Sequence, residues 1–166
     1  GVALAEADRD VREVGGNNRG PDVRRYLANT EPPINVAAPW CAAFVQWAAD
    51  VAAKGCGLPN PLDGAKHEAL VQSYVDHFTP HATVPFEHAA PGDLVVFRFP
   101  NGPDRWNHIG ILARAPDEDG VFWCVEGNTG DVDQRDGDGV YLKPRVTNAE
   151  YPVLFIRWHV SGAWGE

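Results

Sequence analysis

Apolar residues recur at helical spacing through the first half of the chain and at strand spacing through the second. Leu4, Ala7, Val11 and Val14 form one helical stripe, which Gly15 and Gly16 stop. Gly20 and Pro21 open a second, short helix through Val23, Tyr26 and Leu27, because proline fits a first-turn position. The strongest stripe contains Cys41, Phe44, Val45, Ala48, Val51 and Ala52. It begins just after Pro39 and Trp40 and is closed by Lys54 and Gly55. Leu70, Val71, Val75 and Phe78 predict one more helix over about 65–78. Beyond Pro91-Gly92 the period changes. Short β-branched and aromatic runs, separated by Gly, Pro, Asn and Asp, predict strands at 93–99, 108–113, 121–126, 140–143 and 153–158. Helices followed by strands predict an α+β domain: N-terminal helices packed on a C-terminal antiparallel sheet, with the Cys41 helix laid across it. No repeat, linker or low-complexity tract divides the 166 residues, so a single domain over 1–166 is expected.

Charge narrows the choice of partners. The formal net charge is −9, and residues 115–139 carry eight acids against one base. A field of that sign repels phosphate backbones, and no basic stripe with interleaved aromatics is present, so nucleic acid is not an expected partner. No run approaches the ~18 apolar residues of a membrane span. No signal-peptide h-region is visible, so the route of export is left open. Three cysteines in a chain this long do not suggest a disulfide framework, and at least one free thiol is expected.

Three places could carry chemistry. Cys41 stands at the start of the best helix, where the helix dipole favours an anionic sulfur and unpaired backbone N–H groups could hold an oxyanion. It also continues the apolar stripe and fits a small buried hydrophobe. His108 opens a strand, from whose end an imidazole could reach a helix N-terminus and act as base toward a thiol. The five other histidines (67, 77, 81, 88 and 159) fall mostly in helix or polar loop. Strand alternation puts Phe122, Cys124, Glu126 and Asn128 on one face, with Glu126 and Asn128 about 7 Å apart. Either could orient an imidazole. Metal sites are not expected. No CxxC spacing exists, and the acidic run 131–138 fails the calcium-loop pattern because Arg135 occupies a ligand position. No cofactor is expected either.

The blocks Gly15-Gly-Asn-Asn-Arg-Gly-Pro21, Pro39-Trp-Cys41-Ala-Ala-Phe-Val45, Pro91-Gly-Asp-Leu-Val-Val-Phe97, Asn107-His-Ile-Gly-Ile111 and Val125-Glu-Gly-Asn-Thr129 together resemble the CHAP family. These are cysteine- and histidine-dependent amidohydrolases/peptidases related to the NlpC/P60 group. The resemblance implies a papain-like fold and hydrolysis of an amide bond in peptidoglycan, by an N-acetylmuramoyl-L-alanine amidase or a stem or cross-bridge endopeptidase. It gives Cys41 the role of nucleophile, His108 of general base, Glu126 of acidic orienter and Asn128 of the polar residue that follows it. It also implies action in the bacterial cell wall, as in a phage endolysin or a wall-lytic domain; a monomer is the expected working form. Some relatives bind calcium just before the cysteine block, but here that stretch is Asn35-Val-Ala-Ala-Pro-Trp40, without acids. A Cys–His amidase on a non-wall amide, or an inactive relative that binds wall fragments, would use the same residues differently.

Overall fold

Residues 1–130, 137–147 and 150–158 are described by the computed structural model. Four α-helices precede the main sheet: α1 Val2–Asp8, α2 Pro21–Ala28, α3 Cys41–Cys56 and α4 Val71–Ala82. The strands are β1 Thr83–Val84, β2 Leu94–Phe97, β3 His108–Arg114, β4 Val121–Thr129, β5 Gly139–Val146 and β6 Val153–Ile156. Together they form one antiparallel sheet in the order β1-β6-β2-β3-β4-β5. The α+β arrangement expected from the change in period is therefore observed. Among the described residues no helix is long and apolar enough to cross a membrane. Residues 131–136 of the acidic run weighed as a calcium loop lie outside the described residues.

Alternation along the strands divides the core. On one face Leu94, Val96, Ile109, Val125 and Ile156 pack beneath α3, whose Ala42, Phe44, Val45 and Ala49 are buried, along with Tyr26 and Leu27 of α2. The other face carries Val95, Phe97, Leu112, Phe122, Cys124 and Phe155. Burying each large side chain contributes about 1.5–3 kcal/mol. Phe44, which has no exposed surface, meets Tyr26 edge to face at 5.4 Å. Its truncation to alanine would cost about 3–5 kcal/mol.

Several boundaries differ from the sequence expectation, each for a local reason. The first helix ends at Asp8 because Asp10 turns left-handed at φ 55°. Val11 is buried by docking on β5, whose Val140 N–H donates to the Val11 carbonyl at 3.1 Å, while Val14 is 61% exposed. Gly55 lies inside α3, and the stop is Gly57, left-handed at φ 68°. The fourth helix starts at Val71, later than expected, after a segment of turns. Strand β5 continues past Pro144 to Val146. It lies at the end of the sheet order, where the N–H that proline lacks need not join a ladder. Strand β6 ends at Ile156. Arg157 then forks onto buried Asp93 at 3.0 and 2.9 Å, and the Trp158 indole donates to the Gly92 carbonyl at 2.6 Å.

Candidate active site

The start of α3 and the start of β3 meet where Cys41 and His108 stand. Two glycines make that approach possible. A Cβ on Gly127 would lie 2.8 Å from Phe44 and Trp40 side-chain atoms, so a bare backbone at this point lets the first turn of α3 press against the end of β4. A Cβ on Gly110 would lie 2.8 Å from the Glu126 side chain, its register partner across the strands. Glycine there leaves room for the Glu126 side chain to cross β3 and reach His108, two residues along on the same face. The α3 N-terminus has no side-chain cap. Its first N–H groups therefore keep their partial positive charge beside the Cys41 thiol.

Glu126 is the hub of the site. Its Oε2 accepts from His108 Nε2 at 2.7 Å and from Arg145 Nη2 at 2.6 Å. Its Oε1 accepts from Arg145 Nε at 2.7 Å and from the Cys124 thiol at 2.7 Å. His108 and Glu126 have no exposed surface, and Arg145 has almost none. Burial would push a lone carboxyl up, but the Arg145 fork and His108 hold Glu126 far below the usual carboxylate range. It is a fixed anion. Burial likewise disfavours the charged imidazole, yet hydrogen bonding to Cys41 and Glu126 outweighs it and brings His108 up to about 9. Burial, reinforced by the Glu126 charge, pushes the Cys124 thiol well up, so it stays protonated and serves as a donor. With Nε2 committed to Glu126, the nitrogen left for Cys41 is Nδ1, which is buried and has no hydrogen-bond partner among the described residues. An aromatic wall closes the polar group off. Phe97 and Phe99 stack at 5.4 Å, lie 5.8 and 5.5 Å from the imidazole, and sit beneath the Arg145 guanidinium at 5.3 and 5.4 Å. Inside such walls charge–charge interactions are stronger than in water.

Cys41, His108 and Glu126, singled out in the sequence, thus come together from one helix and two strands. Asn128 makes no hydrogen bond to any of them. Between the pairs Glu126–Tyr141 and Thr129–Gly139, β4 advances three residues and β5 only two. This bulge, with Asn128 at φ 55°, ends the alternation that holds for Phe122, Cys124 and Glu126. The Asn128 amide is buried and hydrogen-bonds to nothing among the described residues. The orienting bond to the imidazole comes from Glu126 instead. Arg145 is the residue that sequence reasoning missed. Its signal was the alternation of Tyr141, Lys143 and Arg145 across from Glu126, Cys124 and Phe122, which the expected strand end at Lys143 concealed. All three cysteines are free thiols, as a chain without a disulfide framework requires. No protein-family model, curated protein or solved structure matches this chain.

Proposed function

We propose that the chain is a cysteine-dependent amidohydrolase of papain-like type that cleaves an amide bond in bacterial peptidoglycan, as its resemblance to the CHAP family implies. The observation that carries the reading is the buried series Arg145–Glu126–His108, hydrogen-bonded in turn, with the free Nδ1 face of the imidazole near Cys41. Arg145 and Glu126 cancel each other's charge, so an imidazolium at His108 is left to be balanced by a thiolate at Cys41. That pair is the working state of a thiol hydrolase.

In the reaction the Cys41 sulfur forms a bond to the substrate carbonyl carbon, and the oxyanion is held by backbone N–H groups at the start of α3. His108 Nδ1 gives its proton to the leaving amine as the C–N bond breaks. The now neutral imidazole takes a proton from water, whose oxygen attacks the thioester carbon. The thiolate leaves, and the acid product and the ion pair are restored. Throughout, Glu126 keeps the proton on Nε2 and the ring in one orientation. Anchoring in the cell wall, release from phage or export from a bacterium all accommodate this chemistry. Peptidoglycan is the partner it needs.

The test is digestion of purified peptidoglycan by the wild-type chain and by Cys41→Ala, with products read by mass spectrometry. Cys41-dependent release is expected, and fragment masses then separate muramoyl–alanine cleavage from a cut in the stem or cross-bridge. No release from several wall chemistries, with folded protein, would overturn the wall substrate and move the same machinery to another amide.

A further inference from the structure

An open groove of about 790 Å³ lies beside the segment that leads into α3, lined by Val14, Arg19, Arg24, Leu27, Ile34 and Val36 among others. Three features distinguish it from an ordinary surface fold. It carries the two most exposed large apolar side chains among the described residues: Val14 and Val36 are 61% and 72% exposed. It is positive where the chain is strongly negative. Arg19 and Arg24 are both exposed, and no carboxylate among the described residues lies within ion-pair range of either. The nearby acids are already engaged. Asp22 serves Arg25 at 3.0 Å and Arg9 at 3.5 Å, and Glu13 accepts from the Trp40 indole at 2.9 Å.

The groove adjoins the segment that leads to the nucleophile. Its lining reaches Ala37, four residues before Cys41, and Leu27 of its floor follows Tyr26, whose ring stacks on Trp40 at 5.6 Å. Two guanidiniums lining one groove repel each other, and no carboxylate among the described residues pairs with either. Apolar side chains exposed beside them gain nothing from water. An extended ligand with small aliphatic side chains and free carboxylates would relieve both. Guanidinium is suited to that task because its fork matches a carboxylate in two bonds.

We propose that this groove is the subsite for the acidic peptide strand of the substrate, with Arg19 and Arg24 taking free carboxylates and Val14, Leu27, Ile34 and Val36 taking alanine-sized methyl groups. The assignment rests on the hydrolytic reading above and deepens it. It makes the protein selective for stem peptides whose glutamate carboxylate is free over those in which it is amidated.

The test separates binding from turnover. Cys41→Ala protein, which cannot consume its ligand, is titrated calorimetrically with L-Ala-γ-D-Glu-L-Lys-D-Ala amide and with the same peptide amidated at the glutamate α-carboxylate. The acidic peptide is expected to bind at least about tenfold more tightly, with affinity falling as salt rises, since exposed charge pairs are screened. Adding Arg19→Gln and Arg24→Gln should abolish the preference. Both positions are exposed, so the fold should survive. Equal binding of the two peptides, an acidic-peptide affinity unchanged in the double variant, or no binding of either would overturn the subsite. Digestion of peptidoglycan by the wild type is scored alongside. Release without arginine-dependent binding would remove the subsite and keep the hydrolase. Arginine-dependent binding without release would keep the subsite and remove the hydrolase.

Discussion

Glu6 and Glu126 are both buried and both bound by arginine, but the surroundings give them different roles. Glu6 of α1 accepts from Arg9 at 2.6 Å, from Arg25 at 2.7 Å and from the Tyr26 hydroxyl. Its arginines are 50% and 41% exposed, so water shares the charge. This network ties α1 to α2. Burial and the Glu6 bond raise the Tyr26 phenol, which remains a neutral donor at any physiological pH. Glu126 meets the same residue type in a dry setting, where Arg145 is sealed by Phe97 and Phe99 and the remaining donors are a titratable imidazole and a thiol. The lesson is that an Arg–Glu pair becomes part of a reactive site when its outward neighbour can change protonation. Next to a tyrosine it is a staple.

Neutralising each carboxylate in turn separates the two networks. Glu126→Gln leaves Arg145 as a buried, unbalanced cation and should cost about 3–5 kcal/mol. It should also lower turnover about 10³–10⁴-fold by releasing the imidazole from its tautomer. Chemical denaturation and peptidoglycan digestion read the two losses, and near-wild-type turnover in a folded variant would remove Glu126 from the machinery.

Arg145→Lys keeps the charge but not the fork, so a charge-assisted bond worth about 1.5–3 kcal/mol is lost. The variant should fold. Its activity should fall at least about tenfold, and the alkaline limb of its pH profile should move down from about 9 toward the ordinary histidine range, because a loosely held Glu126 stabilises the imidazolium less. An unmoved limb would make Arg145 a structural residue only.

The wild type carries the matching sign in its stability. His108 is raised by the fold, so its contribution is complete below its ordinary value of 6.5 and is lost as pH rises through about 9. Glu126 is lowered, so its contribution is present above its ordinary 4.5 and is lost only in strong acid. Melting temperatures should therefore fall between about pH 6.5 and 9.5 in the wild type and fall less in Glu126→Gln. Parallel curves would count against the coupling. Glu6→Gln is the smallest change. It should cost about 1–3 kcal/mol, because Arg9 and Arg25 can hydrate, and should leave turnover unaltered. A loss of turnover there would show that the two networks are not independent.

Much of this was legible in the chain. The helical stripe from Cys41, the strand alternation through Phe122, Cys124 and Glu126, and the turn before His108 are local patterns, and local patterns follow from side-chain period. Where the expectation failed, a distant neighbour had intervened. Val11 satisfied a helical spacing, yet its backbone was taken up by the edge of β5. Asn128 satisfied strand alternation, yet a bulge against β5 interrupts that alternation there. Arg145 lay beyond a proline that would end an interior strand but not an edge strand.

By itself, then, the sequence determined the α+β class, the helix that carries Cys41 and the strand positions of His108 and Glu126. Each of these depends on residues within a few positions of one another. Only the tertiary structure decided that Glu126, and not Asn128, holds the imidazole, that Arg145 fixes Glu126 as an anion, and that Gly110 and Gly127 let three elements close on one point. Those outcomes depend on register, edge position and close backbone approach, which are set by contacts between segments far apart in the chain.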